Sequence, residues 1–293
     1  MSDSPLAMLH PARGGELPLT IHHRLVEGRA PDEDGWQLLW VEPEPEHPFA
    51  TLFRSGLDYL IRVEWADFVV APQARTIVTY TDAPSRLVEQ LLVDQVFPLL
   101  LHALGRPPLH ASAVAFDDEV TAFVGKSGAG KSTTSAVACQ LGARLVCDDC
   151  LALTFQEDTV LAHPGYAAVR LWPDAAEALA EDPAALELVT PRTAKRRAPY
   201  PAVEHPLPLG RIVELRRGEG APRLERLHGA DALRTLGAHL HRMTDDDREA
   251  LRAEFAFLAG LVERVPVLRL TTGPRLDDLP EALALLRQAL RKA

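Results

Sequence analysis

One motif limits the possible folds of this sequence more than any other feature, G-x-x-x-x-G-K-S at residues 125–132. An apolar, β-favouring run, Val120–Val124, precedes the motif, and a segment of helical character, Ser132–Leu141, follows it. Strand, glycine-rich loop and helix in this order are the context of a phosphate-binding loop. Because glycines let the backbone wrap closely, its N–H groups can point at phosphate oxygens. The stretch therefore predicts an α/β fold with a site for a nucleoside triphosphate.

The residue types within the loop predict how a nucleotide is held. Lys131 is placed to reach the β- and γ-phosphates, and the Ser132 hydroxyl is placed to ligate Mg²⁺. The cofactors expected from the motif are therefore ATP and Mg²⁺. The residues expected to contact the nucleotide are Gly125, Ser127, Gly128, Ala129, Gly130, Lys131, Ser132 and Thr133.

Two adjacent carboxylates follow the loop. Asp148 and Asp149 lie 17 and 18 positions after Lys131 (148 − 131 and 149 − 131), at the end of a predicted strand, Ala143–Cys147. An acid at this point of a phosphate-loop fold can hold Mg²⁺ or its water. A second acid allows a second task, which is to accept the proton of an attacking hydroxyl. The spacing leaves open which aspartate has which task, and whether one of them only caps a turn.

The segment before the loop predicts a hairpin. Leu109–Phe116 has the pattern of a strand, Asp117-Asp118-Glu119 that of a tight turn, and Val120–Val124 that of the returning strand. Strands joined so closely are antiparallel. His110 opens the first strand, and the register of the hairpin decides whether it lies beside the γ-phosphate. A single histidine is otherwise more often structural.

The amino-terminal part has a different pattern. Short β-favouring runs lie at Trp36–Val41, Tyr59–Val63, Phe68–Val70 and Thr76–Tyr80. Helical spacing follows over Ser85–Leu104, with Ser85 as the expected N-cap and Gly105 as the stop. Pro98 predicts a kink or break within that helix. We expect a small β-rich domain over residues 1–84 and a second domain over residues 85–293.

Charge and hydropathy restrict the partners and the compartment. The net charge of −10 argues against nucleic acid, since its binders normally present a basic face. The N-terminus lacks the pattern of a signal peptide. The longest apolar-rich segment, Leu91–Leu104, is too short and too polar to span a bilayer. We therefore expect a cytoplasmic protein with neither nucleic acid nor membrane as a partner.

Cys147 and Cys150 form a C-x-x-C pair, which allows a zinc half-site or a redox pair. The sequence has no second pair that would complete a tetrahedral zinc site. Both cysteines also bracket the end of a predicted strand, where cysteine behaves as a small hydrophobic residue. This last interpretation is the favoured one.

Several segments together resemble a known family. They are Leu109–Val114, the acidic turn, Phe123–Thr133 and Gly142–Asp149. They look like the catalytic domain of the HPr serine kinase/phosphorylase family, and more closely like its stand-alone relatives, some of which phosphorylate peptides or small molecules, including kinases of peptide natural-product clusters. The resemblance covers residues 85–293 and implies a mixed sheet with flanking helices, preceded by a small β-rich domain.

The resemblance assigns roles to individual residues. The histidine of the family falls on His110, its loop lysine on Lys131 and its metal-binding serine on Ser132. Its aspartate pair falls on Asp148 and Asp149, one of which serves as the base for a serine hydroxyl.

The sequence also departs from the family. A glutamate in an E-I-R-G segment is a further magnesium ligand there, and Ala167–Asp174 (AAVRLWPD) lacks it. Asp174 is either its substitute or a helix N-cap. The family's second-loop arginine has an inexact match in Arg211, which would steady the charge of the transferring phosphoryl group. The helix that grips HPr has no match, so HPr is not the expected acceptor.

The resemblance implies an ATP-dependent kinase that phosphorylates a hydroxyl, most simply serine, of a peptide, protein or small molecule. Two alternatives stay open: a bifunctional kinase/phosphorylase, and a nucleotide-binding regulator with little turnover. Relatives of this kind often assemble, so a homo-oligomer is a further expectation. A basic patch at residues 192–197 predicts either contact with phosphate or an acidic substrate, or a solvated loop; it contains Arg192, Lys195, Arg196 and Arg197.

Overall fold

The computed structural model describes residues 21–41, 50–241 and 248–290. These residues form two compact units, one of residues 21–41, 50–107 and 248–251, the other of residues 108–241 and 252–290. The fold is mixed α/β, with strands in several sheets. None of the helices described here has both the length and the apolar character needed to cross a membrane.

The first unit contains a six-stranded sheet with the strand order β1-β6-β5-β4-β3-β2. β1 and β6 are parallel, and the other neighbours are antiparallel. The four strands predicted in this part are confirmed. The strands are β1 (His22–Val26), β2 (Gln37–Val41), β3 (Ala50–Ser55), β4 (Asp58–Val63), β5 (Ala66–Ala71) and β6 (Thr76–Tyr80).

The predicted helix after this sheet is broken, as the proline indicated. It consists of α1 (Ser85–Leu91), a π-helical turn over Leu92–Val96, and α2 (Phe97–Ala103). Pro98 lies in the first turn of α2. Because proline has no N–H to donate and its ring crowds the preceding turn, the regular α-helical ladder cannot run through this point. The N-cap position is occupied by Pro84, not by Ser85.

The broken helix packs on the core of the first sheet through side chains such as Leu91, Leu92 and Leu99. It is therefore part of the first compact unit, whose amino-terminal segment ends at Pro107. The sequence placed the boundary after residue 84 because hydrophobic periodicity changes there. Of the expected domain 1–84, residues 1–20 and 42–49 lie outside the described residues.

The second unit is built on an eight-stranded sheet and a separate pair of strands. The larger sheet has the path β10-β11-β14-β8-β7-β9, with β16 beside β14 and β15 beside β16. Its strands are β7 (Ser112–Phe116), β8 (Glu119–Val124), β9 (Arg144–Cys147), β10 (Leu153–Gln156), β11 (Thr159–Ala162), β14 (Leu207–Arg217), β15 (Arg223–Leu227) and β16 (Val267–Thr272). The separate pair is β12 (Ala168–Leu171) with β13 (Arg196–Pro199).

The predicted hairpin is present, since β7 and β8 pair in antiparallel register. Its first strand starts at Ser112, later than expected, because Leu109 instead forms bridges to Leu151 and Leu240. β8, β14 and β16 are parallel to one another. Their carboxyl ends therefore share one edge of the sheet, which is where ligands bind in sheets of this kind.

Helices cover both faces of this sheet. On one face α3 and α7 pack over side chains such as Phe123 and Val213; on the other, α5 and α6 pack over Ala122 and Ile212. Neighbouring residues of β14 alternate between the two faces, as in any strand. The helices of this unit are α3 (Lys131–Gln140), α4 (Pro173–Leu179), α5 (Gly229–Gly237), α6 (Arg248–Arg264, its first turn grouped with the first unit) and α7 (Leu279–Leu290).

Candidate functional site

The loop between β8 and α3 is tightly closed. Gly130 caps α3 with φ +95°, in the left-handed region that favours glycine. A Cβ atom on Gly125 would lie 2.9 Å from the Cβ of Ala129, so a larger residue would force the loop apart. The first N–H groups of α3 have no partner within the helix, and the helix dipole adds to their positive potential. The geometry of this loop suits an anion.

Lys131 is held inside the loop. Its side chain is buried, and Nζ donates a hydrogen bond to the carbonyl oxygen of Gly125 at 3.0 Å. Burial lowers the pKa of the ammonium group, although the nearby charges of Asp149 and Asp148 act to raise it. The cation is thus fixed where the loop turns into the helix.

Asp148 is buried and bonded at both oxygens. The Ser132 hydroxyl donates to Oδ1 at 2.9 Å, and the backbone N–H of Arg170 donates to Oδ2 at 2.9 Å. Hydroxyl and carboxylate oxygens are the ligand type that Mg²⁺ prefers, in combination with substrate phosphates and waters. Ser132 and Asp148 therefore fit a magnesium ion as a donor set.

Asp149 has a different environment, although it is the next residue. Its φ of +82° is unusual for a residue with a side chain, and such strain occurs mainly where the surroundings impose it. Oδ1 lies 3.0 Å from Nε2 of His110, and Oδ2 lies 2.8 Å from Nη2 of Arg170. Burial alone would raise the pKa of this carboxyl group, but Arg170 and His110 hold the pKa well below its ordinary value of 3.8. Asp149 is therefore a carboxylate near neutral pH.

A second histidine supports this pair. The rings of His110 and His241 are stacked, with centroids 5.0 Å apart and planes inclined by 7°. Nε2 of His241 lies 2.9 Å from the carbonyl oxygen of Asp149, to which it donates when that nitrogen carries the proton. Burial lowers the pKa of His241, against the opposing charge of Asp149. Both the backbone and the side chain of Asp149 are thus held by an imidazole.

These residues surround a cleft of about 380 Å³, here named the phosphate-loop cleft. Its cationic lining residues are Lys131, Arg170, Lys195, Arg217 and Arg275, and its acids are Asp149 and Asp174. Such an excess of positive charge in a concave site attracts a polyanion. Trp172 also lines the cleft, with its ring centroid 5.2 Å from Nζ of Lys195.

Most of the residues predicted from the sequence meet in this cleft. The wall contains Ser127, Gly128, Ala129, Gly130, Lys131, Ser132, Thr133, His110, Asp149 and Asp174. Gly125 and Asp148 join it through their bonds to Lys131 and Ser132. Asp174 lies in the first turn of α4, whose N-cap is Trp172, so the N-cap alternative for Asp174 is wrong.

Arg211 is not brought to the cleft. It pairs with Thr121, three residues before the end of β8, and this separation corresponds to about 10 Å along a strand. Its guanidinium group is buried, donates to the Thr121 hydroxyl and forms an ion pair with Glu119. Arg217, at the other end of the same strand, is the arginine of β14 that lines the cleft.

The basic patch and the cysteine pair also separate into different environments. Lys195 lines the phosphate-loop cleft, whereas Arg197 is buried and pairs with Glu187. Cys147 is buried, and burial raises the pKa of its thiol well above the ordinary value. Among residues 21–41, 50–241 and 248–290, no group of three or more His, Cys, Asp or Glu side chains is arranged to hold a metal ion.

Comparisons with known proteins give a distant likeness only. No family model matches this chain, and no curated protein matches it. Among solved structures, the chain is similar to the HPr(Ser) kinase/phosphatase from Coxiella burnetii. The two share 12% sequence identity over 63% of this chain and 97% of the other, with a TM-score of 0.35. So weak a likeness does not bear on the reaction, which has to be inferred from the residues of the cleft.

Proposed function

We propose that this protein is an ATP-dependent phosphotransferase that moves the γ-phosphate to a hydroxyl group, most simply that of a serine in a peptide, protein or small molecule. One observation supports this more than any other. A single cleft brings together a loop lysine, a hydroxyl–carboxylate pair suited to Mg²⁺, and a second carboxylate, Asp149, clamped beside them.

The nucleotide would bind along the loop. Its phosphates would accept hydrogen bonds from the N–H groups of residues 130–132 and from Nζ of Lys131; the N–H of Ala129 already donates to the carbonyl oxygen of Lys126. Arg217 reaches the same place, since its Nη2 atom would lie 3.9 Å from a Cβ atom on Gly130. We therefore assign to Arg217 the stabilisation of charge on the phosphoryl group, the role that the family resemblance implied for Arg211.

Ser132 and Asp148 would hold Mg²⁺, and Asp174 on the wall of the cleft is a candidate further ligand. When bound, the ion supplies neutralisation of the charge on the phosphates. Ser132 and Asp148 already lie within hydrogen-bond distance of each other, so their oxygens are oriented before any ligand arrives.

Asp149 would orient the acceptor hydroxyl and take its proton. As the acceptor oxygen bonds to the γ-phosphorus and the bond to the β-phosphate bridging oxygen breaks, the hydroxyl proton passes to this carboxylate, and ADP leaves. A carboxylate with a low pKa is a weak base, so orientation of the hydroxyl is the larger part of its contribution. His110 and Arg170 keep the carboxylate in one position.

The two close contacts of Asp149, with His110 and Arg170, are also the observation that favours the alternative, a nucleotide-binding regulator. Each oxygen already has one partner, either His110 or Arg170. Each carboxylate oxygen can accept about two hydrogen bonds, however, so Asp149 can still accept one from an acceptor hydroxyl and orient it. The geometry therefore supports transfer more strongly than binding alone.

Mass spectrometry of acceptors after incubation with ATP and Mg²⁺ tests the proposal. The acceptors are free serine and serine-containing peptides, and the enzymes are the wild type, Lys131→Ala and Asp149→Asn. We expect the gain of one phosphate with the wild type, and a rate of its formation about 100-fold lower with either variant. ATP binding without any modified acceptor would favour the regulator. Loss of phosphate from a phosphoserine peptide in the presence of inorganic phosphate would reveal the reverse reaction.

A further inference from the structure

A second cleft, of about 720 Å³, lies against the phosphate-binding loop and shares His110 and Ser127 with the phosphate-loop cleft. We name it the arginine cleft. Its charged lining residues are Lys126, Arg216, Arg234, Arg269, Glu214 and Asp231. The loop and His110 therefore border two clefts, of which only one has been assigned to the nucleotide.

The alternation of β14 explains why two clefts exist. Successive side chains of a strand point to opposite faces of the sheet. Arg217 accordingly lines the phosphate-loop cleft, and its neighbour Arg216 lines the arginine cleft together with Glu214. The opposite wall of the arginine cleft comes from α5, which contributes Arg234. The carboxyl edge of the sheet thus presents cationic groups on both sides of the loop.

Glu214 orients the guanidinium groups of this cleft. Oε1 accepts hydrogen bonds from Nε and Nη2 of Arg216 at 3.1 and 3.0 Å, and Oε2 accepts one from Nε of Arg269 at 2.6 Å. Burial would raise the pKa of Glu214, but the bonds from the two arginines lower it below its ordinary value. Glu214 therefore remains ionised and fixes both arginines, so that little ordering is left for a ligand to impose.

The three arginines keep donors that are available to a ligand. Within the described part of the chain, no acceptor is bonded to Nη1 of Arg216, Nη1 of Arg234 or Nη2 of Arg269. The side chains of Arg216 and Arg234 are 55% and 76% exposed. The planar donor pattern of guanidinium matches a carboxylate or a phosphate. Four cations against two acids leave the lining positively charged.

We propose that the arginine cleft binds the hydroxyl acceptor, and that this acceptor carries a carboxylate close to the hydroxyl. The inference rests on the proposed function. A molecule held by Arg216 and Arg234 would extend its hydroxyl toward the border of the two clefts, where His110 is bonded to Asp149. The planar guanidinium donors of this cleft suit a carboxylate or a phosphate, so inorganic phosphate serves as the competing ligand in the test.

Pairs of acceptors that differ only in whether they carry a carboxylate test whether its charge is recognised. One pair consists of a short peptide that ends in serine, with either a free carboxylate or a carboxamide at its C-terminus. The other pair is L-serine and L-serinamide. Comparison of the two pairs shows whether the acceptor is a peptide or a free amino acid. Phosphate transfer from ATP is followed by mass spectrometry. Binding is followed by calorimetry in the presence of a non-hydrolysable ATP analogue. We expect the carboxylate member of at least one pair to be used about tenfold better than its carboxamide.

Substitutions in the arginine cleft test which residues recognise the carboxylate. Arg216→Gln and Arg234→Gln should each raise KM for the carboxylate acceptor about tenfold, remove the preference over the carboxamide, and leave nucleotide binding unchanged. The matched control is Arg226→Gln, because Arg226 is an exposed arginine of β15 that lines neither cleft. It should change none of these quantities.

Several outcomes of these experiments would contradict the proposal that the arginine cleft binds the acceptor. The inference would be wrong if carboxylate and carboxamide were used equally well, or if the variants of Arg216 and Arg234 kept the preference. In both cases phosphate is still transferred, so the proposed function would stand. If the protein bound ATP but neither pair of acceptors, only the inference about the arginine cleft would be wrong. The same holds if inorganic phosphate bound more tightly than the carboxylate acceptors. Absence of ATP binding by the wild type would overturn both proposals.

Discussion

The two ends of strand β14 place the same residue type in opposite settings. Arg211, near the amino end, is buried and bonded to Thr121 and Glu119 of the neighbouring strand. Arg217, at the carboxyl end, lines the cleft beside the phosphate-binding loop. The loop follows β8 at its carboxyl end, so free backbone N–H groups exist there, while a tight turn closes the amino end. On this strand, the arginine near the amino end therefore has a structural role, and the arginine at the carboxyl end lies where a ligand can bind.

The largest effect is expected from removing the cation of the loop. Lys131→Ala should lower the rate of phosphate transfer by about 100-fold or more, because the ammonium group of Lys131 lies inside the loop, bonded to the carbonyl oxygen of Gly125. The rate of ADP formation measures the change, and thermal unfolding serves as the control for folding. Transfer at the wild-type rate would refute the assignment of the carboxyl edge as the catalytic end.

The next effect distinguishes two neighbouring acids. Asp149→Asn should lower kcat by about 100-fold with little change in ATP binding, since it removes the group that orients the acceptor. Asp148→Asn should instead raise the Mg²⁺ concentration needed for half-maximal activity, because Asp148 is the partner of Ser132. Magnesium titrations of both variants measure the difference. An exchange of the two phenotypes would show that the tasks are the reverse of those assigned here.

A direct comparison of the two arginines should give smaller and opposite effects. Arg217→Gln should lower kcat about tenfold and leave the free energy of unfolding unchanged. Arg211→Gln should leave kcat unchanged and lower the free energy of unfolding by about 1–3 kcal/mol, since Thr121 loses its buried partner. Kinetics and urea denaturation measure both quantities. Loss of activity in Arg211→Gln without loss of stability would contradict the structural role assigned to Arg211.

The smallest effect is a dependence of stability on pH. Burial lowers the pKa of His239 and His241 below their ordinary value of 6.5. Below pH 6.5 the unfolded chain therefore binds more protons than the folded one, so the free energy of unfolding falls as the pH decreases from 6.5 toward the folded pKa values. His241→Gln keeps a donor for the Asp149 carbonyl and loses one titrating group. Urea denaturation at several pH values should show a smaller fall in this variant; an identical fall would contradict the assignment.

Local sequence predicts much of the site. The motif at residues 125–132 determines where the loop lies, and the short acidic turn requires β7 and β8 to be antiparallel. β9 also pairs with β7 in antiparallel register, with Ala113 opposite Cys147. This pairing brings the start of β7 beside the end of β9, and His110 meets Asp149 for that reason. The two residues lie 39 positions apart (149 − 110), and the pattern of the hairpin left the position of His110 open, because the pairing of β9 with β7 has no signal in the local sequence.

Other partners depend on pairings that no local pattern reveals. His241 lies 92 residues after the Asp149 carbonyl to which it bonds. Arg170 reaches both aspartates from the separate pair β12–β13. The register of β14 against β8 shifts between Leu209 and Arg211, and the local sequence does not show such a shift. The sequence showed that an arginine follows Gly210, but it could not show at which end of β8 that arginine lies.

Calorimetric titration with ATP and Mg²⁺ tests the central claim most directly, namely that the carboxyl edge holds a nucleoside triphosphate. The proteins to compare are the wild type, Lys131→Ala and Arg211→Gln. We predict equal affinity for the wild type and Arg211→Gln, and affinity at least about tenfold lower for Lys131→Ala. No binding by the wild type, or equal binding by Lys131→Ala, would contradict the claim.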